Sequence, residues 1–290
     1  MGFTAMMGDF LHVSQGFDAS LMGLLGLLLG SFLNVVIYRL PVMLEAQWKA
    51  ECADLAGHEP PATEPFNLMV PRSRCPKCSH TLSWFENIPV LSYLLLRGKC
   101  KHCATPISLR YPAVELVTGA LFFYCAWRWG LTPTALAWGG FAAALVCLGL
   151  IDWDTTLLPD NITLPLLWAG LIATTLGWTP IALTDSLWGA VAGYLSLWLV
   201  YWAFKLATGK EGMGFGDFKL FAALGAWFGW QALIPIILMA SVIGAIIGII
   251  MKFSSGLREG GYIPFGPFLA GAGLTALVFG PQAILHTVGL

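Results

Sequence analysis

Charge is what this sequence has least of: Asp, Glu, Lys and Arg make up 11% of its 290 residues, where soluble domains carry about a quarter. With 57% hydrophobic residues and a mean hydropathy of +0.74, that deficit excludes an ordinary soluble domain and makes the chain a membrane protein. A net charge near −1 excludes the basic footprint of a nucleic-acid binder, so membrane lipid is an expected partner and nucleic acid is not. The first twenty residues hold Asp9 and Asp18 but no Lys or Arg. They lack the positive start of a cleaved secretory signal, and the first apolar span is read as retained. His-Glu-x-x-His and Gly-x-Ser-x-Gly are both missing, which sets aside zincin and serine-hydrolase chemistry. So is Gly-x-Gly-x-x-Gly, the strand-to-helix cofactor fingerprint.

What is present is a series of apolar stretches. A membrane helix needs about 20 mainly apolar residues. Candidates run from Leu21 to Tyr38, then roughly 113–129, 133–151, 161–178 and 186–206, and last from Tyr262 to Leu285. Leu220 to Met251 carries no charge over 32 residues, which as one helix would be about 48 Å long. A hairpin broken near Gly229, Trp230 and Pro235 fits a bilayer better, and an arm of it can line a water-filled cavity. The expected fold is an all-α polytopic membrane protein with about eight transmembrane helices. Between residues 40 and 111 lies a polar loop. The expected organisation is 1–39 as an extracytoplasmic N-terminus and first helix, 40–111 as a cysteine loop, and 112–290 as a helical membrane domain.

Placing the long loop in the cytoplasm puts fourteen of the fifteen basic residues on that side, with Arg128 alone outside, as the positive-inside rule requires. The same alternation brings Asp152, Asp154, Asp160 and Asp217 to the cytoplasmic ends of spans.

Carboxylates at the edge of an apolar span are costly, and therefore candidates for function. Asp152, Asp154 and Asp160 follow the third span, in Asp-Trp-Asp-Thr-Thr-Leu-Leu-Pro-Asp. Asp217 opens the sixth, after Gly214-Phe215-Gly216. Two carboxylates a few ångströms apart do not both ionise easily, so they share a proton. One then takes a proton from a water attacking a peptide carbonyl, while the other donates to the carbonyl oxygen or leaving amine. Gly214 and Gly216 lack Cβ atoms, so a substrate backbone could come close there, and they could adopt unusual φ/ψ values. The bland alternative is that the glycines break the chain before a helix and the aspartates cap its end. Lys219 either stabilises charge near the pair or snorkels to the lipid headgroups.

The pairs Cys75-x-x-Cys78 and Cys100-x-x-Cys103, 21 residues apart, supply four thiolates for a closed, structural tetrahedral zinc site. Two disulfides are the alternative, disfavoured if the loop faces a reducing cytosol. Cys52, Cys125 and Cys147 stand apart and are read as packing or incidental residues.

The ordered set of motifs resembles the type IV prepilin peptidases, a branch of the GxGD aspartyl proteases. It comprises Gly30-Ser31-Phe32-Leu33-Asn34-Val35, the four cysteines, Asn87-Ile88-Pro89, the Asp152 run, Gly-x-Gly-Asp at 214–217 and Pro264-Phe265-Gly266-Pro267. The resemblance implies that Asp152 and Asp217 are the catalytic pair, with Asp154 and Asp160 as tuning or capping neighbours. It implies removal of a short basic leader, after glycine, from prepilins and pseudopilins serving pilus assembly or type II secretion. The implied location is the bacterial inner membrane, with the active site facing the cytoplasm. The cysteine loop implies a second activity, N-methylation of the new terminus using S-adenosylmethionine. Gly98 and Lys99 match the region linked to it, though from the residues alone a turn into the second cysteine pair is the simpler reading. Glu45, Glu51, Asp54, Glu59, Glu64 and Glu86 could attract a basic leader, or be the solvated face of the loop. Two other classes compete: an ion-coupled transporter with intramembrane aspartates, and a non-enzymatic zinc-stapled scaffold. The first does not explain the cysteines; the second would tolerate loss of Asp217.

Overall fold

A computed structural model describes residues 14–58, 65–253 and 263–288. Asp9, Glu59, Glu64, Arg258 and Tyr262, which enter the sequence reading, lie outside the described residues. Among the described residues the chain is helical, with two isolated β-bridges, Arg74 with Thr81 and Lys99 with Pro106, and no strand. It divides into two compact units, Met1–Gly139 and Gly140–Leu290.

In the first unit, helix α1 is Gln15–Leu55, its start capped by the Ser14 side chain, which accepts a hydrogen bond from the Phe17 N–H at 3.2 Å. Its 41 residues make it about 62 Å long. The helix therefore overruns the expected span, and the polar loop does not begin at residue 40. The reason is compositional: after Pro41 the run Val-Met-Leu-Glu-Ala-Gln-Trp-Lys-Ala-Glu is made largely of strong helix formers, so the hydrogen bond lost at Pro41 does not end the helix. Short helix α2, Leu91–Leu95, follows the turn at Trp84–Asn87, and α3 is Arg110–Trp129.

Helices α1 and α3 pack through small residues. A Cβ at Gly26 would lie 2.7 Å from Phe122 Cβ, and one at Gly30 would lie 2.7 Å from Glu115 Cα. The backbones approach closely there, as small residues allow between membrane helices. Asn34 Nδ2 donates to the Tyr111 carbonyl at 3.1 Å, and Glu115 accepts from the Val90 N–H at 2.7 Å.

Helix α4, Pro133–Thr155, runs into the second unit, which continues with α5 Asp160–Thr175, α6 Leu183–Thr208, α7 Phe215–Phe228, α8 Leu233–Phe253, α9 Gly266–Phe279 and α10 Pro281–Val288. The uncharged stretch is broken into two helices: α7 ends before Gly229 (φ 84), a short turn covers Trp230–Ala232, and α8 follows. The break falls at Gly229 and Trp230. Pro235 sits instead in the first turn of α8, where its missing N–H has no helical partner to lose.

Helix α7 is the centre of this unit. Every residue from Asp217 to Trp227 except Lys219 is buried, in keeping with a helix that is apolar all round. Gly189 of α6 meets Gly225 of α7 backbone to backbone, with no space for a Cβ on either. Ser186 Oγ donates to the Ala226 carbonyl at 2.6 Å, and Trp227 Nε1 to the Leu166 carbonyl at 2.9 Å. These contacts fix the depth and rotation of the helix that carries Asp217.

Four helical stretches, Gln15–Leu55, Pro133–Thr155, Leu183–Thr208 and Trp230–Phe253, are long and apolar enough to cross a membrane. The other expected spans are helical as well: α5, α7 and α9 are shorter, and α3 carries Arg110, Glu115 and Arg128.

Candidate active site and candidate metal centre

Asp152 lies in the last turn of α4 and Asp217 in the first turn of α7. Both carboxylates are buried, with relative exposures of 5% and 7%, although each occupies a helix end. They line one cavity of about 440 Å³, together with Asp154, Thr155, Thr156, Leu158, the 211–216 loop before α7 and Ile263, Pro264 and Phe265 before α9. Both carboxylates therefore face the same space. Asp217 Oδ1 is buried without a hydrogen-bond partner, an expensive arrangement for a group with no further task.

The local chain path explains this placement. After α4 the chain reverses at Thr156 (φ 56), and Pro159 opens α5, so Leu158 turns back toward the start of α7. A Cβ on Gly216 would stand 2.6 Å from Leu158 Cβ. Gly214 is extended (φ −83, ψ 151) and Gly216 is helical. Neither uses the unusual backbone angles the sequence reading allowed. Their contribution is the missing side chain: Gly216 lets Leu158 reach the cavity, and a Cβ on Gly214 would meet only Asp217 Oδ2, at 3.8 Å.

Among the acids of the first run, Asp154 is exposed at the cavity rim and Asp160 is half-exposed outside it. Lys219 Nζ contacts both Asp160 carboxylate oxygens at 2.7 Å. It ties the start of α5 to the start of α7. Two residues of the site carried no role in the sequence reading. Leu158 lines the cavity, and Gly266 abuts Asp152, where a Cβ would come 2.5 Å from Asp152 Oδ2. The signal for Gly266 was its place in Pro-Phe-Gly-Pro. The signal for Leu158 was its place before Pro159-Asp160 in the Asp-x-Asp-x-x-x-Leu-Pro-Asp run.

In the first unit the Sγ atoms of Cys75, Cys78, Cys100 and Cys103 all lie within 4.8 Å of one another. Cys75 and Cys103 are 3.7 Å apart, and Cys78 and Cys100 4.0 Å. A tetrahedral zinc with 2.3 Å bonds needs sulfur separations of about 3.8 Å, so the residues fit the metal.

The two cysteine pairs are built alike. The Cys75 N–H donates to the His80 carbonyl and the Cys100 N–H to the Thr105 carbonyl, at 2.9 and 2.8 Å. Ser79 (φ 57) and Ala104 (φ 54) take matching left-handed positions. The Thr105 hydroxyl, 3.2 Å from Cys103 Sγ, heads the causes that hold that thiol down to about 6. Cys78 is pulled down by the His80 backbone N–H, but burial and the surrounding thiols push it up to about 12. Four thiolates this close repel, and a divalent cation between them removes that cost.

Gly98 is a turn residue (φ 67) whose Cβ position is taken by the Tyr93 hydroxyl, 2.7 Å away. The Lys99 N–H donates to the Leu96 carbonyl at 3.1 Å, and the residue itself is exposed. Glu86 is buried and accepts from the Ser83 hydroxyl and N–H at 2.7 and 2.8 Å, which hold its carboxyl below the usual range. It serves the turn and is not available to a leader. Cys125 and Cys147 are buried in helices and Cys52 is exposed, all outside the four-cysteine cluster.

Residues 24–129 match the family described as bacterial peptidase A24 N-terminal domain, and residues 139–249 match the type IV leader peptidase family. The chain is 54% identical over 265 residues to a prepilin leader peptidase/N-methyltransferase of Pseudomonas aeruginosa, covering 89% of each chain. It is 52% identical over 283 residues to one of Aeromonas hydrophila, covering 95% of this chain and 96% of that one. A relative of the same description from Pseudomonas putida is 50% identical over 274 residues, covering 94% of each. No solved structure matches the chain.

Proposed function

Since the chain belongs to the type IV leader peptidase family, we propose that it removes the basic leader of prepilins and pseudopilins after glycine and then N-methylates the new terminus. The observation that carries the peptidase reading is the cavity shared by two buried carboxylates, Asp152 and Asp217, one with an unsatisfied oxygen. In this reading the ionised carboxylate takes a proton from water, whose oxygen attacks the scissile carbonyl carbon. Its protonated partner donates to the carbonyl oxygen, and the nitrogen is protonated as the C–N bond breaks. The water oxygen ends in the leader's new carboxylate, and no covalent enzyme intermediate forms. Gly214 and Gly216 leave room for an extended substrate backbone. Lys219 and Asp160 brace the helices beneath it, and Asp154 borders its entrance.

We further propose an inner-membrane location with the cavity facing the cytoplasm, supported by the distribution of basic residues. The first helix runs to Leu55, the cysteine loop follows it, and the peptidase part begins near residue 112. Zinc bound by Cys75, Cys78, Cys100 and Cys103 would be structural, because four thiolates leave no open coordination position. S-adenosylmethionine would supply the methyl group. Gly98 shapes the turn that presents Lys99, and the two are the candidate contacts to that donor.

The test is co-expression with a prepilin, with the mass of the product read. Leader loss plus one methyl group is expected. Leader loss without the methyl removes the methyltransferase half, and an intact leader removes the whole reading. Replacing Cys75 and Cys78 together by Ser should release zinc and lower the protease resistance of residues 65–111, because metal binding supplies folding energy. Methylation should fall at least about tenfold more than cleavage. Equal loss of both would place the cysteine loop within the proteolytic machinery.

A further inference from the structure

We propose that Leu158 is the specificity-determining residue that limits the side chain preceding the scissile bond to a hydrogen atom. The inference rests on the peptidase reading of the Asp152–Asp217 cavity.

Leu158 stands between the two halves of that cavity. Against the helix carrying Asp217, its Cβ would be met at 2.6 Å by a Cβ on Gly216; against the segment beside Asp152, its Cδ1 would be met at 3.1 Å by a Cβ on Gly266. Leu158 also lines the cavity itself. One isobutyl group therefore fills the space between the backbone before Asp217 and the backbone beside Asp152. Both neighbours are glycines, so Leu158 packs against backbone on either side and keeps a partly exposed face in the cavity.

A carbonyl attacked by water between these carboxylates must come within hydrogen-bond reach of both. The side chain of the residue that owns this carbonyl is then carried only two bonds away from it, into the region Leu158 occupies. Retreat of Leu158 toward Gly216 or Gly266 meets backbone, not a side chain that can rotate away. Cavity walls made of backbone yield less than the ends of flexible side chains, and an added methyl group in a filled space typically costs about 1–3 kcal/mol. The shape of the cavity thus supplies a steric reason for glycine at that position. The two motif glycines acquire a second role: they seat the gauge as well as making room for the substrate backbone.

The full-length protein in membranes is assayed against two prepilins that differ only in Gly or Ala before the scissile bond. The wild type should prefer Gly by about 10–200-fold in kcat/KM, the usual reach of one methyl group. Leu158→Ala should lower that preference at least tenfold by raising cleavage of the Ala substrate, with the Gly substrate cut at a measurable rate. Leu158→Val, a milder change that keeps a branched side chain at the site, should shift the ratio in the same direction by a smaller factor. An unchanged Gly/Ala ratio in whichever variant folds overturns the inference while leaving the peptidase reading intact. A wild type that cuts neither substrate overturns the peptidase reading itself.

Discussion

Asp152→Asn loses prepilin cleavage by more than about 10³-fold, within the range expected for removing a positioned proton-transfer group, while Asp154→Asn and Asp160→Asn each change it by less than about tenfold. All three aspartates lie within nine residues of sequence, and the structure separates them by environment. Asp152 is buried beside Asp217 in the common cavity and backed by Gly266. Asp154 is exposed at the rim. Asp160 is engaged with Lys219, 2.7 Å away and outside the cavity. The measurement is the single-turnover cleavage rate of each variant in membranes, with unfolding or zinc content as the control for integrity. Because two groups that act as one unit are not additive, Asp152→Asn combined with Asp217→Asn should be no slower than the worse single variant. A rate loss on Asp154→Asn equal to that on Asp152→Asn would assign the partner of Asp217 wrongly.

The second large effect is structural. Gly225→Val should destabilise the second unit by about 3 kcal/mol, at the upper end for overpacking, and cleavage should fall with it. The position opposite Gly225 is backbone of Gly189, not a side chain that can rotate away, so any Cβ forces α6 and α7 apart. Separating them strains the Ser186 hydrogen bond to the Ala226 carbonyl and moves the helix on which Asp217 sits. Thermal unfolding in detergent reads the first consequence and prepilin cleavage the second. Gly140→Ala, where nothing lies within 4 Å of the added Cβ, is the matched control and should change neither measurably.

Much of this was legible in the chain because single residues impose it. An uncharged stretch too long for one span had to break, and Gly229 is where it does. Two Cys-x-x-Cys pairs close on one another because each is a self-contained turn, set by hydrogen bonds within a few residues. Asp152 and Asp217 were legible as a pair because both interrupt apolar runs at what charge alternation makes the same face.

Other features depend on contacts that spacing does not encode. The continuation of α1 to Leu55 follows from helix propensity beyond Pro41, where polarity alone suggested a loop. Lys219 finds Asp160 across 59 residues of chain, a partner visible only once α5 and α7 lie side by side. Leu158 and Gly266 draw their importance from what stands against them, and neither residue type announces that by itself. The glycines at 214 and 216 drew attention for the right positions, with unusual backbone angles offered as one of two reasons. Neither uses such angles, and what the missing side chain makes room for at Gly216 is Leu158.

The most direct test of the central claim is mass spectrometry of one prepilin incubated with membranes holding wild-type protein or Asp217→Asn at equal, verified levels. The aspartyl-pair account predicts leader loss with the wild type and an intact, unmethylated prepilin with Asp217→Asn. Leader removal by Asp217→Asn at the wild-type rate would contradict it.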